Sequence, residues 1–172
     1  FPTASPYTHA WSPDGKKISA TDGPGTTQVF DATTGNFLWT SGGGGKRGHY
    51  FTNDSLYVTE TSGTTFNEFT PAVDTTPERT RVLPGAYINL TLSPDGKRIA
   101  CDDTAIVFIL DEESFFVSNT FPGAQPSWSP DNESLVYVNG GNLYIHNTRN
   151  GGSRQLTFSG SDSYPCFQYK PR

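Results

Sequence analysis

Methionine is absent from this chain and cysteine nearly so. Its 172 residues hold no Met, two Cys and only 17% charged residues. Two cysteines are too few for a disulfide framework. Cys101 and Cys166 either pair within the chain, pair between chains, or stay free as small buried hydrophobes. Neither lies in a CxxC or a metal-ligand spacing. Because Phe1 rather than Met opens the sequence, the expectation is a mature exported chain, extracellular or periplasmic, with a fragment as the alternative. No apolar run is long enough to span a membrane. The net charge is −5 and basic residues are scattered, with small pairs such as Lys16-Lys17 and Lys46-Arg47, which argues against nucleic acid and anionic membrane surfaces as partners. No Gly-x-Ser-x-Gly elbow occurs, no catalytic residue stands out, and no cofactor is implied.

What is abundant is turn and strand chemistry. The chain has 18 Gly, 13 Pro, 12 Phe and 8 Tyr, a composition of strands and turns rather than helices. The organising feature is a repeat. Trp11-Ser12-Pro13-Asp14-Gly15 returns as Leu92-Ser93-Pro94-Asp95-Gly96 and as Trp128-Ser129-Pro130-Asp131-Asn132. Each copy reads as a tight hairpin: Pro sets one turn dihedral, Gly or Asn accepts a positive φ, and the Asp caps its own backbone. The residue before Ser-Pro marks each copy. With the diverged Phe51 and Phe167 included, the markers are spaced by 40, 41, 36 and 39 residues. A period near 40 with several strands per period is the signature of propeller blades.

The repeat predicts blades over about 5–41, 46–84, 85–121 and 122–160. Inner strands are expected over 7–12, 49–52, 87–92 and 126–129. One surplus inner strand is expected over 164–169. The fold class is therefore all-β: a single domain, 1–172, of four four-stranded antiparallel blades plus one extra inner strand.

The same residues carry a family resemblance. The Trp-Ser-Pro-Asp-Gly hairpin followed by a basic residue and an aliphatic strand, a third strand ending in Asp, a Thr-Gly turn and Arg154-Gln155-Leu156-Thr157 together resemble the WD40-like β-propeller repeat of TolB-type proteins. The propellers of prolyl-oligopeptidase-type proteins share it. The resemblance spans nearly the whole chain and is weakest in the second unit. It implies blades around a central channel with each first strand innermost. Propellers of this type usually have six to eight blades. Three arrangements suit four blades and a spare strand: a piece of a longer propeller, one ring shared by two chains, or a strand donated to a neighbour at an open sheet edge.

The candidate ligand residues are His9 and His49, each two positions before a marker in adjacent units. They would stand on neighbouring inner strands as a metal or anion site, or as ordinary hydrogen-bonded strand histidines. Glycosylation sequons begin at Asn53, Asn89 and Asn132. Asn53 and Asn132 fall on hairpin turns and Asn89 in an inner strand. The loop through Asp74 and Pro77 is either an O-glycan carrier or plain linker. Gly42–Gly45 before Lys46-Arg47 fails as a phosphate loop, because Arg47 replaces the Ser or Thr and a strand is expected where a helix should follow. Asp102-Asp103 and Asp111-Glu112-Glu113 are expected in solvated turns.

The functional expectation is a non-enzymatic exported propeller for protein binding or assembly, with protein partners or copies of itself, as a subunit of an extracellular oligomer or filament. The alternatives are a substrate-gating propeller fragment of a peptidase and a glycan-binding lectin, with Trp39, Tyr50, Tyr87 and Tyr144 as stacking aromatics.

Overall fold

The computed structural model describes residues 8–12, 14–21, 26–40, 46–50, 56–60, 64–69 and 79–167, with the backbone alone for 8, 46–50, 56–60 and 66. All regular elements among these are strands. They run β1 (Thr8–Trp11), β2 (Lys17–Thr21), β3 (Thr27–Asp31), β4 (Phe37–Thr40), β5 (Lys46–Tyr50), β6 (Leu56–Glu60), β7 (Thr65–Phe69) and β8 (Arg79–Val82). They continue with β9 (Ile88–Leu92), β10 (Arg98–Asp102), β11 (Ile106–Asp111), β12 (Val117–Pro122), β13 (Ala124–Trp128), β14 (Ser134–Asn139), β15 (Asn142–Asn147) and β16 (Ser153–Gln155). Four antiparallel meanders result, each pairing four consecutive strands in sequence order. These are the four predicted blades. Two compact units divide them, Phe1–Ala86 with the first two and Tyr87–Arg172 with the last two.

One hairpin turn is built three times. The Ser12 hydroxyl donates to Asp14 Oδ1 at 2.7 Å and accepts the Lys17 N–H at 2.9 Å. Ser93 does the same with Asp95 and Arg98, and Ser129 with Asp131 and Ser134. The turn ends in left-handed backbone, at Gly15 (φ 71), Gly96 (φ 71) and Asn132 (φ 66). Glycine has no Cβ to clash there, and Asn tolerates the region better than most residues. Each turn carboxylate caps N–H groups of its own loop, the structural role its motif predicts.

A second turn also repeats, between the third and fourth strands. Asp31 accepts the Thr33 and Thr34 N–H groups, Asp111 that of Ser114, and Asn147 those of Arg149 and Asn150. The two turns are then tied together. Ala32 N–H donates to the Lys16 carbonyl, Glu112 N–H to Lys97 and Thr148 N–H to Glu133, at 2.8 to 2.9 Å.

The cores follow strand alternation. In the first unit Val29, Trp39 and Phe69 cluster with Ala10 against them. In the second, Ala100, Val107, Ile109, Phe121, Trp128, Leu135 and Tyr137 form one cluster. A fully buried aliphatic or aromatic side chain contributes about 1.5–3 kcal/mol, so among the described residues the second cluster is the larger stabilising mass. β10 and β14, buried on both faces over most of their length, read as continuous apolar runs for that reason.

The surplus strand is a correction. Residues 161–167 carry no β-ladder, and 168–169 lie outside the described residues. The physical reason is that a ladder needs a second strand, and none lies beside 164–167 among the described residues. Strand starts shift by one to three residues elsewhere, most at β5, which begins at Lys46 rather than His49. The glycine run therefore leads straight into a strand.

Candidate functional site at the blade seam

The chemistry-bearing side chains of the second unit converge where its two blades meet. Trp128, on the innermost strand β13, is 2% exposed. Its indole Nε1–H donates to the Thr91 carbonyl on β9 at 3.2 Å. Arg98, the first residue of β10, lies over the ring with its guanidinium carbon 4.5 Å from the centroid. The same guanidinium donates to the Thr148 hydroxyl at 3.2 Å and to the Asn132 carbonyl. The Asp95 N–H donates to the Asn132 side chain at 2.9 Å. Cation, indole and turn of successive repeats thus lock together.

A second cluster sits at the opposite end of the inner strands. Asp102 is fully buried. Its carboxylate accepts the Asn89 side-chain amide at 3.0 Å, the Gln125 N–H at 2.8 Å and the Thr104 N–H at 2.9 Å. Three donors offset the desolvation of a buried charge. Asn89 (φ 50) and Gln125 (φ 54) are left-handed, and the register of each inner strand slips nearby, between Ala100 and Asp102 and between Ala124 and Ser127. Each inner strand therefore opens on a bulge three residues before its marker. The expectation of a solvated Asp102 is corrected: only Asp103 is exposed, capping Ala105 and Ile106.

The sequence-predicted residues are distributed as follows. His9 lies on β1 opposite Ala20, with an exposed side chain, and His49 lies on β5 opposite Tyr57. The backbones of β1 and β5 are neighbours within the first unit; the His49 side chain is outside the described residues. No group of three or more His, Cys, Asp or Glu suited to a metal occurs among the described residues. His146 is buried, its ring stacked 4.0 Å from Phe121 and held between Asn119 and Ser153. Burial lowers its pKa, which keeps it neutral and structural.

Cys101 is a buried free thiol and Cys166 an exposed one. No intrachain bridge joins them. Burial pushes the Cys101 thiol up, with the Asp102 and Asp103 carboxylates adding to it, so it is held as an unreactive thiol. Of the sequons, Asn53 and the 74–77 loop lie outside the described residues. Asn89 donates its amide to buried Asp102. Asn132 sits on a hairpin turn, half-buried, with its side-chain oxygen bonded to Asp95. Of the aromatics expected to stack on sugars, Trp39 and Tyr87 are core residues, and Tyr144 packs against the second core with its hydroxyl on Gln155. The Tyr50 side chain is outside the described residues. Trp39 and Tyr87 are therefore withdrawn as a sugar platform.

Sequence reasoning missed Arg98, Asp102 and Gln125 as seam residues. Arg98 carried a signal, since it stands six residues after its marker, where Lys17 stands after Trp11. Asp102 carried none: its counterparts ten residues after markers Trp11, Phe51 and Trp128 are Thr21, Thr61 and Val138.

The first unit holds its marker in a different setting. Trp11 pairs across to Ile18 as Trp128 pairs to Leu135 and Leu92 to Ile99. Its hairpin is the same, yet Trp11 is 59% exposed.

Comparison with known proteins agrees with this architecture. Residues 104–166 match the family model described as dipeptidyl peptidase IV (DPP IV) N-terminal region. No curated protein matches. Among solved structures, a chain of the crystal structure of the mitotic checkpoint complex superposes with a TM-score of 0.65 at 18% identity, over 89% of this chain and 52% of that one. The chain thus spans about half the length of the solved chain it matches. The fold is that of a β-propeller repeat chain of four blades, and at this identity the likeness concerns fold alone.

Proposed function

We propose that this chain is a non-enzymatic, exported propeller whose work is protein binding and assembly, as a structural subunit of an extracellular oligomer or filament. The observation that carries this reading is the contrast between Trp128, 2% exposed, and Trp11, 59% exposed, at equivalent positions of the repeat. A large amphipathic side chain left uncovered on an otherwise complete hairpin is a docking feature. Its natural complement is another blade. The solved structure it resembles comes from a multi-protein complex, which supports protein partners. Export rests on the low charge and on the strand-and-turn composition.

Light scattering of the native chain over a wide concentration range tests this. The reading expects species heavier than the 18.7 kDa chain, growing with concentration. A monomer at every concentration, in the absence of any captured partner, overturns self-assembly.

A second reading has its own support. The match of residues 104–166 to the N-terminal region of dipeptidyl peptidase IV favours a propeller that gates substrate for a peptidase domain. Under that reading the chain alone hydrolyses no dipeptidyl substrate but binds an added peptidase domain.

A further inference from the structure

The outer part of the seam between the third and fourth blades is held through one ring that can take up a proton. Cross-strand pairing puts Leu135 and Tyr137 of β14, His146 and Tyr144 of β15, and Ser153 and Gln155 of β16 on one face of the fourth blade. Against that face β12 of the third blade sets Asn119 and Phe121. His146 is 2% exposed, and its ring lies 4.0 Å from that of Phe121 at an interplanar angle of 18°. The backbones of the two blades meet at the inner strands, β13 against β9 and β10. Farther out, these side chains make the bridge.

Hydrogen bonding fixes the tautomer of that ring. Asn119 spends its Oδ1 on the Thr120 N–H at 2.8 Å, so the group it turns to the imidazole is its NH2, which only donates. His146 Nε2, 3.2 Å from that nitrogen, therefore accepts. The ring hydrogen sits on Nδ1 and is donated to the Ser153 hydroxyl at 2.9 Å. Neutral His146 thus satisfies both its nitrogens. A second proton has one place to go, Nε2, where it meets the Asn119 NH2, donor against donor. To offer its oxygen instead, Asn119 must turn its amide over and abandon Thr120. Phe121 gives no remedy, because nearly parallel rings send the imidazole N–H groups past its face rather than into it.

No counter-charge is at hand. β12, β14 and β15 hold no Asp, Glu, Lys or Arg. β16 holds Arg154, which stands opposite Ile145 and so on the other face. The remaining titratable groups on the side of His146 are the phenols of Tyr137 and Tyr144. Burial is what lowers the His146 pKa, in keeping with a site built for the neutral ring.

We propose that His146 is an acid-sensitive latch: protonation at Nε2 breaks its bond to Asn119 and lets β12 part from β15 on the outside of the seam, while the inner strands stay joined. The opening bares Phe121 and Tyr137, which the closed seam buries. The device is independent of what the blades bind and of whether copies associate.

Hydrogen exchange of the full-length chain between pH 7.5 and 5 tests this, read by mass on peptides over 117–122 and 142–147 and corrected for the intrinsic rate at each pH. One proton is taken up on opening. Exchange over these strands should therefore quicken by up to about tenfold per pH unit below about pH 6.5, with β9 and β10 unchanged. Two full-length variants identify the cause. H146F keeps the stack and cannot titrate, so its exchange over 117–122 should show no pH step. N119D offers Nε2 a carboxylate: the ring then donates to it from Nε2, Ser153 donates to Nδ1, and a second proton completes an ion pair. Its seam should tighten rather than open as pH falls. Equal loss of protection in β9 and β10 overturns the proposal, since the unit then opens as a whole. Unchanged exchange over 117–122 in the native chain overturns it too, as does the native pH step persisting in H146F. Should H146F fail to fold, the sign of the N119D response still decides: opening on acid as in the native chain rules the latch out.

Discussion

Arg98 and Trp128 belong to successive blades, and the guanidinium of the first lies 4.5 Å from the ring centroid of the second. The contact joins the start of a second strand to the end of the next inner strand. It places a cation from one repeat on the marker of the following one. Trp128→Ala should cost about 3–5 kcal/mol, as expected for a large buried aromatic, whereas Trp11→Ala should cost under about 1 kcal/mol, since exposed side chains contribute little. Urea midpoints of the two variants check this. In a double-mutant cycle, Arg98→Ala and Trp128→Ala should show coupling of about 0.5–2 kcal/mol.

Asp102 should be intolerant of replacement. Asp102→Ala leaves the Gln125 and Thr104 N–H groups and the Asn89 amide without their acceptor. A loss of about 3 kcal/mol is expected, typical of breaking a buried charged network. Amide hydrogen exchange at Gln125 should rise sharply even where the rest of β13 stays protected. Unchanged protection there would show that the carboxylate does not hold the seam.

Two left-handed glycines should differ in their tolerance of alanine. At Gly15 (φ +71) an added Cβ meets nothing within 4 Å, while at Gly141 (φ +73) it meets the Gly160 carbonyl oxygen at 2.2 Å. Gly15→Ala carries only the backbone cost, about 1 kcal/mol. Gly141→Ala carries that and a clash with backbone, so it should destabilise more and release the segment beyond β16. Thermal melts rank the two, and limited proteolysis after residue 156 detects the release.

Stability should fall with acid in two stages. His146 is buried and its pKa lowered, so the unfolded chain binds a proton that the folded chain refuses. Stability from this group is complete above the unfolded value, near 6.5, and declines as pH falls from there through the folded value. His146→Phe removes that stage. The second stage comes from the turn carboxylates. The Lys16 N–H and then the Ser12 hydroxyl lower Asp14, and the Ser129 hydroxyl and then the Glu133 N–H lower Asp131. Their folded values lie below the unfolded ones, so their contribution is present above about pH 4 and is lost as pH falls below it. Urea midpoints taken from pH 7.5 to about 2.5 resolve the two stages.

The order and spacing of the blades were legible because the Ser-Pro-Asp-Gly hairpin is a local device. Its serine, carboxylate and left-handed residue lie within six positions, and their hydrogen bonds need no distant partner. The four inner strands begin within one to three residues of their expected starts, since alternation and turn chemistry fix them together. Residues whose role depends on a neighbouring blade were not legible. Asp102 looked like a solvated turn because its donors, Asn89 and Gln125, are 13 and 23 positions away. Trp39 and Tyr87 looked available for sugars because sequence alone does not tell which face of a strand is covered.

The sequence by itself determined the repeat, the hairpins and the four-stranded blades, since those follow from dihedral preferences and hydrogen bonds between residues close along the chain. Only the tertiary structure decided that Trp128 is buried while Trp11 is not. The two sit in the same motif with equivalent aliphatic cross-strand partners, Ile18 and Leu135. Burial is a property of what stands on the far side of the indole, and that lies outside the motif.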